Sequence, residues 1–418
     1  MDTIDASALR DICAEPYGFW LDSALADGRL GLRSFWGLDP AVVLRSRGRE
    51  IEIERRHSAA RRFEGDPFEA LRELLTERAG IGVAMGYLGY GLKRYIERLP
   101  ETATDDLGLP ECHLAFYDRV RSFDPRPLAP PPPVLGLPPR FDGLRSTFSR
   151  EGYEAAVRRA LEHVRAGDVY QINLSQRFQA ASDRDPFDIY LRLRAQSPAP
   201  FAAFFRFPGY AVLSSSPERF LRFEPRTRLV ETRPIKGTRP RGPGPTSDRT
   251  LARELLTSAK DRAENVMIVD LERNDLGRVA EIGSVEVTGL CELESFASVH
   301  HLTSTVRARL RADRDVIDLL RATFPGGSIT GAPKIRAMQL IDELEPVARG
   351  VYTGAIGYIE PGGGMDLSIA IRTMVIKDGL ASFHAGGGIV ADSDPTQEYE
   401  ETLHKGAALA RVLLGEGS

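Results

Sequence analysis

Two hydrophobic periods divide most of this chain into predicted helices and strands. Apolar residues recur every three or four positions from Tyr153 to Val164, and Gly167 follows as a natural helix end. The same spacing predicts largely helical segments at 251–276, 334–343 and 396–414. Between them, residues 168–178 alternate, with Ile172 and Leu174 on one face of a predicted strand and polar residues on the other.

Further predicted strands lie on both sides of these segments. Short apolar stretches predict them at 81–90, 201–207, 211–215, 351–359 and 367–376. Helices and strands therefore follow one another in an irregular order. This order favours an α+β fold with antiparallel sheets over a doubly wound fold.

A proline-rich stretch divides the chain. Residues 124–139 contain so many prolines that neither a helix nor a central strand could form there. We therefore expect an N-terminal subdomain at 1–123, a stiff connector at 124–148 and a catalytic domain at 149–418. The connector could instead be a ligand for a proline-binding module, although a spacer is the favoured interpretation.

Composition narrows the class of protein. The chain has 418 residues, 42% hydrophobic and 27% charged, with a net charge of -4, as is ordinary for a soluble globular enzyme. This charge gives no reason to expect a nucleic acid or an anionic membrane as partner. No segment approaches the ~20 apolar residues that span a bilayer, and the acidic N-terminus lacks the pattern of a signal peptide. Cys13, Cys112 and Cys291 are odd in number and far apart, so we expect no disulfides and a cytoplasmic location.

One lysine stands out as candidate chemistry. Lys236 lies in Arg233-Pro-Ile-Lys-Gly-Thr238, which reads as a tight loop whose glycine lets the backbone approach a ligand. A lysine there acts as a nucleophile only if burial or a nearby cation lowers its pKa. The ordinary alternative for a lysine followed by glycine is a surface lysine in a turn.

Two acidic pairs predict a metal site. Asp261 and Glu264 are three residues apart and hence on one helix face, and Glu398 and Glu401 repeat the spacing, with Lys405 one turn further. Such pairs are common on solvated helices. If both faced one cavity, their repulsion would require a cation, and all-oxygen ligands favour Mg²⁺ completed by a substrate oxyanion.

Three other features could bind an anion. The segment 328–334 is predicted to open a helix, with Ser328 or Thr330 as its cap, and free N–H groups there attract carboxylates. The three glycines at 386–388 could offer backbone donors or form a hairpin turn. Arg372 lies in the apolar predicted strand 367–376, and its partner could be a protein carboxylate or a substrate.

The order of several motifs resembles the chorismate-utilising enzymes, the family of anthranilate, aminodeoxychorismate, isochorismate and salicylate synthases. The similarity runs from Val169 to Lys405. It rests on Tyr-Gln-Ile-Asn-Leu-Ser at 170–175, Ser-Pro-Glu-Arg-Phe at 216–220, the Lys236 segment, Asp-Arg-Ala-Glu-Asn at 261–265, Asp-Leu-Glu-Arg-Asn-Asp at 270–275, Gly-Ala-Pro-Lys at 331–334 and Glu-Tyr-Glu-Glu-Thr at 398–402. The resemblance implies two large, roughly orthogonal antiparallel β-sheets packed together and flanked by helices.

Two positions indicate the branch of the family that the chain resembles. Anthranilate synthases carry alanine where Lys236 stands, whereas aminodeoxychorismate synthases carry lysine. Isochorismate and salicylate synthases have a water-activating lysine at the position of Gln171, an amide here. The resemblance therefore implies component I of an aminodeoxychorismate synthase, which converts chorismate and ammonia to 4-amino-4-deoxychorismate on the way to 4-aminobenzoate and folate.

The resemblance also implies residue roles. Lys236 would be the nucleophile and Glu218 the general acid. Mg²⁺ would be held by Glu264 and Glu401, with Asp261 and Glu398 in its water-mediated shell. Asp261 replaces the glutamate of several relatives, and its shorter side chain makes direct metal contact less favourable. The implied substrate contacts are Gly237, Thr238, His301, Thr330, Tyr352, Arg372, Gly387, Gly388 and Lys405.

The ammonia source is expected on another chain. The sequence lacks the glycine-flanked nucleophilic cysteine of a glutaminase, so the resemblance implies a glutamine amidotransferase subunit as partner. Two alternatives remain open. One is an enzyme like anthranilate synthase component I; the other is a non-catalytic subunit binding chorismate or tryptophan, since some relatives hold tryptophan near the segment matching Leu21-Asp22-Ser23.

Overall fold

The computed structural model describes residues 6–24, 30, 33–123, 141–296 and 299–415. In chain order, its strands up to residue 207 are β1 (Phe19–Asp22), β2 (Ser34–Gly37), β3 (Val42–Arg47), β4 (Glu50–Arg55), β5 (Arg61–Glu64), β6 (Val83–Leu88), β7 (Cys112–Tyr117), β8 (Arg121–Phe123), β9 (Arg145–Ser146), β10 (Gln171–Ala181) and β11 (Phe201–Phe207). The later strands are β12 (Tyr210–Ser216), β13 (Arg219–Glu224), β14 (Leu229–Arg233), β15 (Ile235–Pro240), β16 (Glu286–Ser295), β17 (Val299–Arg309), β18 (Gly331–Ala332), β19 (Ala355–Ile359), β20 (Met365–Ile369), β21 (Thr373–Lys377) and β22 (Leu380–Ile389).

The α-helices of the described residues are α1 (Ala6–Ala14), α2 (Pro67–Glu77), α3 (Arg150–Ala166), α4 (Pro186–Gln196), α5 (Pro245–Thr257), α6 (Ala259–Gly277), α7 (Val316–Thr323), α8 (Lys334–Leu344) and α9 (Pro395–Leu414). Helix α3 ends at the predicted stop, with Gly167 in the left-handed conformation at φ 80°. Helices α8 and α9 also confirm the predicted segments. None of the helices in the described ranges is long and apolar enough to cross a membrane.

These strands form two large antiparallel sheets, which confirms the predicted fold. The first, here called sheet A, has the order β18-β10-β22-β21-β12-β11-β1-β2-β8, with β9 against β10. The second, sheet B, has the order β15-β17-β14-β13-β20-β19-β6-β7-β3-β4-β5, with β16 against β17. Helix α9 packs on β22 of sheet A, and α6 packs on β15 and β17 of sheet B.

Apolar side chains from both sheets meet in one core. Phe205 and Val212 of sheet A belong to the same buried cluster as Met85 and Tyr117 of sheet B. Strands that precede residue 124 complete both sheets, although the predicted connector lies mainly at 124–140, outside the described residues. The division into a subdomain, a connector and a catalytic domain stays a prediction.

The predicted helix at 251–276 is wrong in one respect, because the structure divides it into α5 and α6. Ser258 between them has an extended backbone, with φ -65° and ψ 109°, and its hydroxyl accepts a hydrogen bond from the Asp261 N–H at 3.2 Å. Ser258 is thus an N-cap that starts a new helix. The two acidic positions of the first pair consequently lie at the beginning of α6.

Two strand predictions also need correction. Residues 351–354 form a turn, so the strand predicted at 351–359 begins only at Ala355. The predicted strand 367–376 is two strands in different sheets, β20 in sheet B and β21 in sheet A. The chain changes sheets at Arg372, whose φ of 50° is incompatible with a continuous strand.

A second change of sheet lies beside the first. Pro217 and Glu218 join β12 of sheet A to β13 of sheet B. Backbone hydrogen bonds hold the two junctions together, from the Ile369 N–H to the Glu218 carbonyl at 3.0 Å and from the Ser215 N–H to the Arg372 carbonyl at 3.1 Å. The fold therefore brings an acid and an arginine, far apart in sequence, to the same boundary between the sheets.

Candidate active site

Lys236 lies in a bulge of an edge strand and not in the predicted tight loop. Strand β15 pairs with β17 so that Ile235 lies opposite Thr303 and Thr238 opposite His301. Three steps on β15 thus match two on β17, and the extra residue is accommodated at Lys236 and Gly237, where Gly237 has φ 83°. A bulge of this kind redirects side chains, and here it re-aims the lysine.

The Lys236 amine points towards the glycine end of β22. A β-carbon placed on Gly388 would lie 3.4 Å from Lys236 Nζ and 2.7 Å from Gln171 Nε2. Both amide atoms of Gln171 are buried without a hydrogen-bond partner. The side-chain space at Gly388 is therefore bordered by an amine and an unsatisfied amide, which are groups that recognise a polar ligand.

Burial lowers the pKa of Lys236, the nearby Lys405 lowers it further, and the carboxylates of Glu264 and Glu218 oppose this shift. The lowered pKa increases the fraction of neutral amine, which is the nucleophilic form. The sequence-based requirement for a reactive lysine is thus met by its surroundings.

Glu218 is a buried acid at the junction between the sheets. Its side chain is 4% exposed, and Ser328 Oγ donates a hydrogen bond to its Oε1 at 2.5 Å. Burial raises the pKa of Glu218 to about 7, although Ser328 and then Lys236 oppose the shift. A carboxyl group of this kind is protonated in a substantial fraction of molecules near neutral pH, as a general acid must be.

The second acidic pair faces Gly387, one residue before the glycine beside the lysine. A β-carbon on Gly387 would lie 3.0 Å from Glu398 Oε2 and 3.1 Å from Glu401 Oε1. Glu398 Oε2 is buried without a partner, while Ser393 Oγ donates to its other oxygen at 2.6 Å. Burial first, and then repulsion from Glu401, raises the pKa of Glu398 to about 7, against the effect of Ser393.

Lys405 balances part of this negative charge. Its Nζ lies 2.5 Å from Glu401 Oε1 and donates to the Gly386 carbonyl at 3.0 Å. The Lys405 ammonium is the main cause of the lowered pKa of Glu401. These contacts place Lys405 beside the acidic pair, and its implied substrate contact stays a prediction.

The two acids of the first pair, Asp261 and Glu264, have different surroundings. Burial raises the pKa of Glu264, which faces Lys236, and the nearby carboxylates add to this effect. Asp261 instead accepts a hydrogen bond from Arg239 Nη2 at 2.9 Å. The described residues contain no ready-made cluster of three or more acidic, histidine or cysteine side chains that could hold a metal. Direct metal contact by Asp261 is accordingly less favourable than contact by Glu264.

Arg372 carries an unpaired guanidinium in the described part of the chain. Arg372 is half-buried, no hydrogen bond or ion pair joins its side chain to another described residue, and burial lowers its pKa. His301 lies near it and bonds Thr238 Oγ1 through Nδ1 at 2.8 Å. Burial and then the Arg372 charge lower the pKa of His301 to about 3, so this imidazole is neutral.

Tyr352 and Thr330 occupy different surroundings. The Tyr352 ring stacks on His384, with centroids 4.9 Å apart, and the Arg349 guanidinium lies 5.6 Å from its centroid. Thr330 is fully buried, and its hydroxyl donates to the Gly326 carbonyl at 2.9 Å. Its proposed substrate contact stays a prediction.

The predicted cap of the helix after residue 328 is wrong. Helix α8 begins at Lys334 with Pro333 before it, and neither Ser328 nor Thr330 caps it. Ser328 instead bonds Glu218, a partnership that its sequence position next to a predicted helix concealed. The orphaned Gln171 amide and the Arg239–Asp261 contact were likewise not predicted, because each depends on pairing between distant segments.

Comparisons with known proteins give the family of this chain. The sequence profile of the chorismate binding enzyme family matches residues 21–411. This chain belongs to that family. Aminodeoxychorismate synthase component 1 of Escherichia coli (strain K12) is 42% identical over 422 residues, which cover 93% of this chain and 92% of the relative.

Relatives named anthranilate synthase component 1 are similar to this chain to a comparable degree. Anthranilate synthase component 1 of Acetivibrio thermocellus is 37% identical over 444 residues, which cover 94% of this chain and 90% of the relative. The crystal structure of anthranilate synthase component I from Streptococcus pneumoniae TIGR4 matches with a TM-score of 0.79 at 33% identity, covering 91% of this chain and 92% of that one. The chain is thus a chorismate-utilising enzyme whose branch these similarities leave undecided.

A separate cavity lies beside Leu21-Asp22-Ser23. It has a volume of about 380 Å³ and lies between β1 of sheet A and β19 and β20 of sheet B. The Asp22 carboxylate in its wall is already engaged by Arg194. Tryptophan binding there was an alternative in the sequence analysis, and nothing in these contacts tests it.

Proposed function

We propose that this chain is component I of an aminodeoxychorismate synthase, which aminates chorismate at C4. The observation that carries the proposal is the Lys236 amine, which borders the side-chain space at Gly388 together with Gln171. The carboxylates of Glu264, Glu218 and Glu401 are close enough to affect its pKa. Anthranilate synthases have no amine at this position, so the resemblance and the geometry favour the same branch.

In the proposed mechanism, neutral Lys236 attacks C2 of the ring and forms a C–N bond. Both ring double bonds shift, from C1=C2 to C1=C6 and from C5=C6 to C4=C5, the C4–O bond breaks, and Glu218 gives its proton to the departing hydroxyl, which leaves as water. Ammonia then forms a bond to C4, both double bonds shift back, and the C2–N bond to Lys236 breaks. Loss of a proton from the new ammonium gives 4-amino-4-deoxychorismate and restores the lysine.

Other residues would hold chorismate in place. The unpaired Arg372 guanidinium, with Tyr352, is suited to the enolpyruvyl carboxylate, because a carboxylate supplies the partner that the protein does not. Gly237, Thr238 and Gly388 would contribute donors near the ring carboxylate. Neutral His301, already bonded to Thr238, would donate or accept one hydrogen bond without adding charge.

The acidic residues fit a single Mg²⁺. Glu398 Oε2 lacks a partner and Glu264 has a raised pKa, as expected of carboxylates that a cation would stabilise. Glu264 and Glu401 would hold the ion, with Asp261 and Glu398 binding its waters. Two carboxylates suffice because Mg²⁺ retains waters and uses substrate oxygens. When bound, the ion would anchor the ring carboxylate of chorismate by charge.

Ammonia would come from a separate glutamine amidotransferase subunit. The described cysteines are all buried, and burial raises the pKa of Cys13 and Cys112, which disfavours the nucleophilic thiolate. The relatives named component 1 also support a second component. In its absence, a high concentration of ammonium should supply the nitrogen.

The test is mass-resolved product analysis with chorismate, ammonium at alkaline pH and Mg²⁺, compared with the same mixture containing a chelator. We expect 4-amino-4-deoxychorismate only when Mg²⁺ is present. Absence of turnover under these conditions would contradict the proposal and favour a non-catalytic binding subunit.

The second candidate is an enzyme like anthranilate synthase component I. The similarity to the Acetivibrio thermocellus protein, which covers 94% of this chain, favours it. The same chromatogram separates the two candidates, because anthranilate is aromatic and carries nitrogen at C2, whereas 4-amino-4-deoxychorismate retains its enolpyruvyl group. Anthranilate as the main product would replace the first proposal with the second.

A further inference from the structure

A second cavity in sheet B contains polar groups that the proposed reaction does not use. It has a volume of about 520 Å³ and lies between the β3–β4 hairpin, the segment 90–111 and the segment 341–350 around the end of α8. None of the residues assigned above to chorismate or to Mg²⁺ lines it. It also differs from the cavity beside Leu21.

Lys93 is the most unusual group in this cavity. Its side chain is 7% exposed and forms no hydrogen bond or ion pair with the described residues. Its ammonium lies 4.5 Å from the centroid of the Tyr90 ring. Burial lowers the pKa of Lys93 to about 8, so the amine is still mostly charged at neutral pH. The Asp342 carboxylate attracts this charge but forms no ion pair with it, so the ammonium keeps its hydrogen-bond donors available for a ligand.

Two further groups in the same walls lack partners. The Tyr90 hydroxyl and Glu111 Oε2 are buried, and neither has a hydrogen-bond partner among the described residues. The other oxygen of Glu111 is held by Arg94 Nη2 at 2.7 Å. The cavity thus presents a free cation and a free hydroxyl, and separately a free carboxylate oxygen.

Several other charged groups of the cavity already have partners, and the Asp342 carboxylate accepts from the Thr102 N–H and Oγ1 at 2.6 and 2.9 Å. The groups without partners are therefore the candidates for ligand binding. Arg349 is bonded to both oxygens of Glu345 at 2.7 and 2.9 Å, and Arg47 to Asp105 at 3.2 Å. The Arg349 guanidinium lies 4.9 Å from the Tyr90 ring centroid, so a fixed cation backs this ring. The Tyr90 wall is therefore held in place before any ligand binds.

We propose that this cavity binds a small organic carboxylate that also carries a hydrogen-bond donor. The carboxylate pairs with the Lys93 ammonium and accepts from the Tyr90 hydroxyl, and the donor reaches Glu111 Oε2. Hydroxy acids and amino acids share this chemistry. Ordered water could satisfy the hydroxyl and the carboxylate oxygen, but it would not neutralise the Lys93 charge.

The test is ligand-observed NMR titration of the full chain with three probes: acetate, glycolate and glycine. We expect glycolate or glycine to bind more tightly than acetate, because acetate lacks the donor. Lys93→Met should weaken the binding of these probes at least tenfold. Glu111→Gln should remove most of the difference in affinity between acetate and the two probes that carry a donor. Lys377→Met is the matched control, since its amine bonds the Leu107 carbonyl at 2.6 Å outside the cavity lining.

Melting temperature separates ligand binding from a structural role. Removing an unpaired buried charge should leave the free Lys93→Met protein at least as stable as the wild type. Lys93→Gln, which keeps a polar group, is the second variant. The proposal is overturned if no probe binds, if Lys93→Met binds the probes as the wild type does, or if both variants fail to fold. Because none of these measurements needs turnover, a failure here is distinguishable from a failure of the proposed amination.

Discussion

Two arginines illustrate the contrast between a charge that the protein pairs internally and a charge that it leaves unpaired. Arg349, 3% exposed, donates to both Glu345 oxygens and to the Asn173 and Ile329 carbonyls, at 2.7 to 3.0 Å. The Arg372 side chain has no partner among the described residues. The first arginine fixes the fold, because every bond it needs is made within the protein. The second makes no such bond and is therefore available to the substrate carboxylate proposed above.

The same contrast applies to the acids. Glu345 is saturated by Arg349 and by the backbone N–H of Ser175 at 2.8 Å, whereas Glu398 keeps one buried oxygen without a partner. A satisfied network should therefore affect stability when mutated, and an unsatisfied one should affect binding or turnover. Four variants test this distinction.

The largest effect is expected from Arg349→Met. The variant leaves Glu345 buried without its cation, which costs about 3–5 kcal/mol of unfolding free energy. Urea unfolding measures the change. A stability equal to the wild type would show that the Arg349 network is not structural and would remove the basis of the comparison.

Glu218→Gln should lower kcat about 10²–10⁴-fold, because the amide cannot protonate the leaving hydroxyl. Chorismate binding should change little. Glu272→Gln is the matched control: Glu272 is a buried acid on α6 that accepts from Thr232 Oγ1 at 3.0 Å, and burial raises its pKa well above the usual range. Because burial favours its neutral form, the neutral amide variant should turn over normally. Equal losses in both variants would indicate general damage instead of acid catalysis.

Arg372→Met should raise KM for chorismate about ten- to a hundredfold, the effect of one charge-assisted hydrogen bond. Its unfolding free energy should stay near that of the wild type, because no protein partner is lost. The pattern is thus opposite to that of Arg349→Met. A large loss of stability with unchanged KM would place Arg372 among the structural charges.

The smallest expected effect is a shift in the pH dependence of kcat in the Ser328→Ala variant. The Ser328 hydroxyl stabilises the ionised form of Glu218, so its removal should raise the pKa of Glu218 further above about 7. The acid must be protonated to act, so the alkaline limb of kcat should move to higher pH. The ratio of variant to wild-type rate at each pH cancels the change in free ammonia. A shift to lower pH would contradict the assignment of Glu218.

Local periodicity predicted the helices whose apolar spacing and end signals are visible in a single segment. Helices α3, α8 and α9 follow their apolar spacing, and the glycine stop after α3 is confirmed. The break at Ser258 could also have been predicted, because serine three residues before Asp261 is typical of a helix start. An apolar period alone does not show such a break when hydrophobic residues continue across it.

Features that depend on contacts between distant segments could not be predicted from the sequence pattern. The apolar run 367–376 looks like one strand, yet its middle passes from one sheet to the other at Arg372. The bulge that directs Lys236 exists only because β15 pairs out of step with β17. The Ser328–Glu218 bond joins residues 110 positions apart. Motif order suggested most of the candidate residues, but their partners depend on these long-range pairings.

The most direct test of the central claim is the product made by Lys236→Ala with chorismate, ammonium and Mg²⁺. The amine lies beside Gly388 and Gln171, and in the proposed mechanism it would block C2 while nitrogen adds at C4. We predict that the variant loses 4-amino-4-deoxychorismate and that any remaining amination appears at C2. Formation of only 4-amino-4-deoxychorismate at the wild-type rate would contradict the role of Lys236 as the nucleophile.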